Sequence, residues 1–499
     1  MAVPDLETYR SRAEAFLAAI DTETYLHFSG QKPVCDTAAV YDRFPELFTR
    51  EAVATIEELF AAAEGDEKYR MAFLAVFAID GYIGEQTKLL NDEVANTEGR
   101  TEVTVDGERI GLRQAVVVQA NEADGERRAR IQAARLAATA EHLNPLLQQT
   151  WSRAHALAGD LGYPSYAELY SDIKGQDYRL LQVELDAFID ETTILYEQVM
   201  TRLVRVRLGI PLSELRYSDL PYLWRAAPYD AIFTSGRLLP TLRATLAGLG
   251  IDVDAQSNVH LDTEVRELKS PRAFCAPVRV PGEIYLSVLP QGGQDDYAAL
   301  LHEAGHTEHF AHTAAGLPFE FRHLGDNAVT ESFAFLFDHL LLNREWLAHY
   351  LDYPDNDEFV WFANVVELYF IRRYAAKLGY ELELHTHEGP FEPLAEVYSR
   401  RLGKALLVEV PPESYLADVD DGFYCASYLR AWLMEGALRM ILQERFTMEW
   451  FRSADAGAWV KDLWAHGQHY TAERLLLKQG GGRLSPDPLK HHFERALGR

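Results

Sequence analysis

The sequence predicts a mainly α-helical protein that contains a small β element. Apolar residues recur at three- and four-residue spacing through most of the chain, as in LETYRSRAEAFLAAI and EAVATIEELFAAA, and this period is typical of amphipathic helices. Strand-like patterns occupy only two short stretches. With 499 residues, 48% of them hydrophobic, the chain is long enough for more than one lobe, and we expect a mostly helical N-terminal lobe over 1–250 and a second lobe over 251–499.

The first lobe is predicted to be helical except for one hairpin. Helices are expected through most of the first 90 residues. Between about Asn91 and Val118, polar and apolar residues alternate around Asp106-Gly107, a pattern that indicates two strands joined by a two-residue turn. Helical periodicity returns from Gly125 to Ala158 and again in a long amphipathic segment that ends before Pro211.

The second lobe is predicted to begin with a short β element of the edge type. Prolines and a glycine separate extended runs such as AFCAPVRV and EIYLSVLP between about Ile251 and Pro290. Gly292-Gly293 then breaks the chain, and Asp295 or Asp296 is a candidate cap for the helix DYAALLHEAGHTEHFAHTAA.

More helices are predicted beyond this one. The next begins near Asp326, and apolar periodicity continues in FVWFANVVELYFIRRYAAKLG and FYCASYLRAWLMEGALRMILQERF. The segment KQGGGRLSPDP near the C-terminus is predicted to be a loop.

Composition excludes several classes of partner. The formal net charge of -28 and the pI near 5.0 argue against a nucleic-acid partner, since phosphate binding depends on clustered Lys and Arg. The N-terminus lacks the basic start and apolar run of a secretory signal, and no stretch is long and apolar enough to predict a membrane span. Cys35, Cys275 and Cys425 are too few and too far apart for a disulfide framework, so we expect a cytoplasmic protein.

Two histidines on one predicted helix are spaced to bind a single metal ion. His302, Glu303 and His306 form the pattern His-Glu-x-x-His, and residues four apart on a helix lie one turn apart on the same face. This arrangement of imidazoles suits zinc, so His302 and His306 are predicted ligands. Glu303 lies about 100 degrees round the helix from His302, where its carboxylate is predicted to act as general base on the attacking water.

A catalytic zinc site needs a third protein ligand, and Glu331 is the candidate. It lies early in the helix predicted from near Asp326, and the intervening connection is long enough for that helix to fold back antiparallel. Gly305 lies in the interior of the histidine helix, where glycine costs about 1 kcal/mol relative to alanine. This glycine indicates close approach by a neighbouring backbone.

Two other interpretations of these histidines stay open. In one, His302 and His306 form a hydrogen-bonded face that binds no metal. In the other, Glu303 with His306 and Glu320 with His323 are the two carboxylate–histidine pairs of a di-iron bundle, although the second pair follows a predicted loop. Apart from that interpretation, most of the remaining charged and histidine side chains here are expected to be solvated: Glu308, His309, His312, Glu320 and His323.

With this spacing, the chain resembles the superfamily of zinc peptidases that contains thimet oligopeptidase and oligoendopeptidase F. The separation of Glu331 from the first histidine is similar to that of the superfamily's glutamate ligand. LGYPSYAELYSDIKG resembles its leucine-glycine-tyrosine segment, and AFCAPVRVPGEIYLSVLP lies where the family has a β element beside the cleft. GFYCASYLRAW resembles its C-terminal glycine- and tyrosine-rich segment through Gly422, Tyr424, Ala426 and Tyr428, but the chain has Ala431 where the family has another tyrosine.

The resemblance implies a mainly α, two-lobed helical shell around a deep channel that admits short peptides, with a small β element next to the zinc helix. It also implies that Tyr424 or Tyr428 donates a hydrogen bond to the oxyanion of the reaction. The 251–499 lobe would then be the catalytic lobe and would bind one zinc ion (Zn2+) per chain. The extended segment near Val278 to Leu286 is a candidate for pairing with substrate backbone.

The predicted function is therefore zinc-dependent hydrolysis of peptide bonds in short peptides. The alternatives are a metal- or peptide-binding protein without turnover and a di-iron oxidoreductase. Five arginines are candidate anchors for a peptide carboxylate, although surface solvation is expected for any one of them: Arg272, Arg279, Arg372, Arg373 and Arg430. The sequence does not distinguish endopeptidase from exopeptidase action. It does not indicate the oligomeric state either.

Overall fold

The computed structural model describes residues 4–498, of which most are helical. Helices account for 70% of the chain and strands for 5%, and the strands form two small sheets. The predicted fold class, mainly α with small β elements, is confirmed at this level. Among residues 4–498, no helix combines the length and the apolar character that crossing a membrane requires.

The chain divides into two compact units, each built from discontinuous segments. Unit 1 comprises Met1–Tyr82, Ala227–Ala363 and Ser427–Leu489, and unit 2 comprises Ile83–Ala226, Asn364–Ala426 and Lys490–Arg499. Both units draw on both halves of the sequence. They therefore partition the chain differently from the continuous lobes 1–250 and 251–499 that the sequence suggested.

The N-terminal helices confirm the predicted helical start. Asp5, Asp36 and Thr49 each cap a helix by accepting a backbone N–H from three residues further on. The fourth helix continues past the predicted boundary at Asn91, because no proline or other strong breaker interrupts it there. The four helices are α1 (Leu6–Phe28), α2 (Thr37–Tyr41), α3 (Arg50–Ala62) and α4 (Gly65–Arg100).

The predicted hairpin is confirmed, although it is shorter than expected. Strands β1 (Glu102–Val105) and β2 (Glu108–Gly111) pair antiparallel, and the two turn residues, Asp106 and Gly107, both have positive φ. Two successive residues with positive φ suit the twist of a two-residue hairpin. The next helix begins at Leu112, so the β stretch ends before the predicted Val118.

Helices fill the rest of the chain up to the second sheet. The long helix predicted before Pro211 is confirmed, and it ends at Gly209 in the left-handed conformation. These helices are α5 (Leu112–Asn121), α6 (Gly125–Ala138), α7 (Asn144–Asp160), α8 (Tyr166–Ile173), α9 (Tyr178–Leu208), α10 (Leu220–Trp224) and α11 (Ser235–Gly248).

The second sheet has three strands in the order β3-β5-β4. Strand β3 (Val259–Asp262) is parallel to β5 (Glu283–Ser287), and β4 (Phe274–Arg279) is antiparallel to it. Because β5 is paired on both sides, it has no free edge for a substrate strand, and that part of the prediction for Val278 to Leu286 is wrong. Strand β4 is an edge strand, as predicted for this region.

The first of the remaining helices carries the predicted metal motif, and the others follow it along the chain. Asp326 caps its helix by accepting the N–H of Ala328, as predicted. The cap predicted at Asp295 or Asp296 is wrong, because Gly293 occupies the cap position and Asp296 accepts N–H groups of the preceding loop. These helices are α12 (Gln294–His312), α13 (Phe319–His323), α14 (Asn327–Asp338), α15 (Arg344–Leu351), α16 (Asp357–Thr386), α17 (Leu394–Leu406), α18 (Tyr424–Phe446), α19 (Ala454–Trp464), α20 (Ala472–Lys478) and α21 (Asp487–Leu497). The predicted loop near the C-terminus separates α20 from α21.

Candidate metal centre

The site is built where α12 and α14 pack against each other in unit 1. Gly305 of α12 faces the backbone of α14, and a Cβ atom there would lie 2.6 Å from both the Cα of Ala334 and the carbonyl oxygen of Phe333. Any side chain larger than hydrogen would push the helices apart. The close backbone approach predicted from Gly305 is therefore confirmed.

Three predicted ligand side chains converge across this helix pair. Nε2 of His302 lies 3.3 Å from Oε2 of Glu331, and Nε2 of His306 lies 3.5 Å from the same oxygen. One candidate ligand atom from each residue lies within 4.8 Å of the other two. The sequence therefore identified three residues that the fold brings together.

The spacing of these atoms suits a zinc ion. A tetrahedral ion with bonds of about 2.0–2.1 Å separates its ligand atoms by about 3.3–3.4 Å. The two distances from Glu331 to the imidazoles, 3.3 and 3.5 Å, agree with that geometry. Two imidazoles and one carboxylate also form a set of three protein ligands, which leaves a position open for substrate or water.

The far nitrogen of each imidazole is bound by a residue of α14. Nδ1 of His302 lies 3.0 Å from Oδ2 of Asp338, to which it can donate, and Nδ1 of His306 lies 2.8 Å from Oγ1 of Thr330. These contacts orient both rings with Nε2 toward Glu331. Neither Asp338 nor Thr330 was predicted from the sequence. A signal existed for Asp338, because it follows Glu331 by two helical turns and therefore lies on the same face of α14.

The charges of the site are matched to a cation. Glu331 is only 3% exposed. Burial alone would raise its pKa, but the attraction of His306 and hydrogen bonds from both imidazoles hold the pKa below the ordinary value for glutamate. Burial alone would also lower the pKa of His302, but hydrogen bonds to Asp338 and Glu331 raise it to about 10. The carboxylates thus stabilise positive charge at this position.

Glu303 lies beside the convergent ligands and contacts strand β4. Its Oε2 accepts the backbone N–H of Cys275 at 2.9 Å. The side chain is half-buried and follows His302 directly on α12, so it lies at the border between the ligand face of the helix and the edge of the sheet. This is the position from which a carboxylate can reach a water bound near the histidines, and its role as general base stays a prediction.

The two predicted tyrosines lie on one helix but in different units. Tyr428 of α18 is half-buried, and its ring centroid lies 6.0 Å from that of Phe335, which in turn lies 5.3 Å from the ring of His302. Tyr428 is therefore one aromatic ring away from the candidate ligands. Tyr424 is the first residue of α18 and belongs to unit 2. The proposed donation of a hydrogen bond by either tyrosine stays a prediction.

Several side chains near the motif are buried, and the expectation that they are solvated is wrong. Glu308, His309 and Glu320 are at most 1% exposed. Burial lowers the pKa of His309 to about 3, so this ring is neutral, and its Nε2 lies 3.2 Å from the carbonyl oxygen of Gly467.

Glu320 and His323 are engaged in contacts of their own. The carboxylate of Glu320 lies 2.5 Å from Nε of Arg10 and 3.2 Å from Nε of Arg70, and it therefore joins α13 to α1 and α4. Nε2 of His323 accepts the N–H of Val280 at 3.3 Å. These contacts do not favour the second carboxylate–histidine pair of a di-iron centre.

Two of the candidate arginine anchors are buried and bound to protein groups. Arg430, 4% exposed, binds the carboxylates of Asp326 and Glu473 with four hydrogen bonds of 2.6–2.8 Å. Arg372 is fully buried and donates to the backbone carbonyls of Ala405 and Ile189. The expectation of surface solvation is wrong for both residues, because each guanidinium already has protein acceptors.

A second group of potential ligands lies in unit 2. Glu381, Asp420 and Cys425 have ligand atoms within 4.8 Å of one another. Nζ of Lys377 lies 2.7 Å from Asp420 and 3.8 Å from Glu381, so an ammonium already supplies the positive charge at this place. Burial raises the pKa of Glu381 to about 8. This cluster is interpreted as a buried ion network.

No protein-family model matches the sequence, and no curated protein matches it significantly. The resemblance to the superfamily of thimet oligopeptidase and oligoendopeptidase F therefore stays a prediction, based on the residues quoted above.

Proposed function

We propose that the protein is a zinc peptidase that hydrolyses peptide bonds in short peptides. The observation that supports this most strongly is the convergence of His302, His306 and Glu331 at zinc-like spacing with Glu303 beside them. Three protein ligands with an open position, next to a carboxylate that is not itself a ligand, form the arrangement that metal-assisted hydrolysis needs. A purely structural zinc site would close the fourth position with another ligand.

In the proposed reaction, each residue of the site has one role. A zinc ion held by His302, His306 and Glu331 would supply a Lewis acid for the peptide carbonyl and for the attacking water. Glu303 takes a proton from the water as its oxygen bonds to the carbonyl carbon, and it passes that proton to the amine as the carbon–nitrogen bond breaks. Asp338 and Thr330 hold the two rings in the orientation that presents Nε2.

Oxyanion stabilisation is assigned to a tyrosine hydroxyl, Tyr428 or Tyr424. Of the two, Tyr428 is favoured, because its ring lies beside Phe335, whose ring in turn lies beside His302. A donor aimed at the developing negative charge contributes about 2.7–4 kcal/mol to such reactions. Substrate backbone is proposed to run along the free edge of β4, the strand that contacts Glu303.

From the resemblance to the superfamily of thimet oligopeptidase and oligoendopeptidase F, we also propose a two-lobed helical shell around a channel that admits short peptides, with one zinc ion per chain. We further propose a cytoplasmic location. The net charge of -28 supports a protein that does not bind nucleic acid.

The test compares wild type with Glu303→Gln, using metal analysis and a mixed library of short peptides. We expect wild type to carry about one zinc and to cut peptides, and the variant to keep its zinc and to lose cleavage by at least about 100-fold. Glu345→Gln, an exposed change on α15, is the matched control and should leave both properties unchanged. Cleavage by Glu303→Gln at the wild-type rate would contradict the assigned general base.

The same experiment separates the two alternatives. Zinc without cleavage in wild type would support a metal- or peptide-binding protein without turnover. Two iron atoms per chain would support a di-iron oxidoreductase, although the contacts of Glu320 with Arg10 and Arg70 do not favour it.

A further inference from the structure

The backbone amide of Cys275 lies on the free edge of the second sheet. Cys275 faces Leu286 of β5, while its neighbours Phe274 and Ala276 face Ser287 and Tyr285. In an antiparallel pair, alternate residues exchange hydrogen bonds with the partner strand and the residues between them direct N–H and C=O outward. The N–H of Cys275 donates to Glu303 of α12. We therefore infer that it points outward, away from β5.

The other end of this hydrogen bond is the proposed general base. Oε2 of Glu303 accepts the N–H at 2.9 Å, and the backbone of Glu303 is held by Thr307, whose Oγ1 donates to the Glu303 carbonyl at 2.7 Å. A glutamate side chain has several rotatable bonds and loses its freedom only where a contact fixes it. Here the strand supplies that contact for one oxygen of the carboxylate.

The thiol of Cys275 points in a different direction from the N–H that donates to Glu303. Side chains alternate between the two faces of a strand, and Tyr285, opposite Ala276, stacks on Tyr25 of α1. Cys275 therefore faces the other way, toward Thr307 of α12. The amide and the thiol can be changed separately by mutation.

We propose that the backbone amide of Cys275 is a positioning group for catalysis: it holds Oε2 of Glu303 and thereby presents Oε1 to the attacking water. This inference rests on the proposed function and adds to it a role for the edge strand beyond binding substrate. The thiol takes no part. Because the amide lies outside the hydrogen-bond ladder of β4 and β5, its removal should change Glu303 more than the sheet.

The test removes the amide and keeps a matched control. Cys275→Ala retains the N–H and loses the thiol, whereas Cys275→Pro loses both, and proline is tolerated on edge strands where the N–H faces outward. Cys275→Ala is the reference for the proline variant, because both lack the thiol and only Cys275→Ala keeps the N–H. Relative to Cys275→Ala, kcat of Cys275→Pro should fall by about 10- to 100-fold, with zinc content unchanged and KM within about threefold.

Two further experiments complete the test. The first replaces the proline variant if that variant does not fold, and the second detects the hydrogen bond without measuring turnover. If Cys275→Pro loses its cooperative thermal transition, an ester at position 275, made with the α-hydroxy analogue of alanine, replaces the N–H by an oxygen without adding a ring and is compared with Cys275→Ala. Hydrogen exchange of the Cys275 amide should be at least about 10-fold faster in Glu303→Ala than in wild type.

The possible outcomes separate the two proposals. If wild type and Cys275→Ala cleave peptides and the proline or ester variant cleaves them equally fast, the positioning role is overturned while the peptidase proposal stands. Unchanged amide exchange in Glu303→Ala would also overturn it. If wild type cleaves no peptide, the proposed function fails and the positioning role fails with it.

Discussion

Replacing Gly305 by alanine should separate the two helices that carry the metal ligands. The added Cβ would lie 2.6 Å from Ala334 and Phe333 backbone atoms, whereas ordinary contacts of this type begin near 3.4 Å. The backbones must therefore move apart by about 1 Å. Overpacking of this kind costs about 1–3 kcal/mol, and the better helix propensity of alanine offsets about 1 kcal/mol of that, so we expect a net loss of about 0–2 kcal/mol in the free energy of unfolding.

The same displacement should weaken metal binding more than it weakens the fold. Glu331 precedes Ala334 by one turn on α14, so its oxygen would withdraw from the imidazoles that now lie at 3.3 and 3.5 Å. A zinc ion needs all three atoms at about 2.0–2.1 Å, and we expect the zinc Kd to rise by about 10-fold or more.

Urea unfolding of the metal-free protein and zinc titration against a competing chelator measure the two effects. Gly159→Ala is the control, because Gly159 is an exposed helical residue with no atom within 4 Å of the added Cβ, and this change should leave zinc affinity unaltered. Equal zinc affinity in Gly305→Ala and wild type would refute the inference that this glycine sets the ligand spacing.

Four further substitutions should change either the zinc affinity or the stability of the protein. Asp338→Asn should raise the zinc Kd by about 10- to 100-fold in the same titration, because the carboxylate that orients His302 loses its charge. Thr330→Val should also raise the zinc Kd, whereas Thr330→Ser, which keeps the hydroxyl beside the second imidazole, should not. Arg430→Met should lower the free energy of unfolding by about 3–5 kcal/mol, measured in urea, because it leaves two carboxylates without their partner. Burial raises the pKa of Glu381 from 4.5 to about 8, so wild type should lose stability as pH rises through this range, and Glu381→Gln should unfold in urea with a smaller difference between pH 5 and pH 9.

Local patterns predicted much of the fold because local physics determines those features. The hairpin at Asp106-Gly107 follows from two residues that accept positive φ, and the start of α14 follows from the cap that Asp326 supplies. The boundary at Asn91 was wrong because polar residues are compatible with a helix as well as with a turn. The packing of α4 on the rest of the chain is not visible in local sequence.

The candidate site was predicted in its ligands but not in its supporting contacts. Helical spacing places His302 and His306 on one face, and a catalytic zinc requires a third ligand, so the search for Glu331 was constrained by chemistry. Asp338 contacts His302 only because α14 packs against α12. This packing is a tertiary contact, which local sequence does not reveal. The burial of Glu320 depends in the same way on distant arginines, Arg10 and Arg70.

Anomalous scattering at the zinc absorption edge, measured on crystals of the zinc-loaded protein, would show directly which residues bind the ion. We expect one strong peak at about 2.0–2.1 Å from Nε2 of His302, Nε2 of His306 and a carboxylate oxygen of Glu331, with Glu303 outside the coordination sphere. A crystal that binds no zinc at these residues, or one in which Glu303 is itself a ligand, would contradict it.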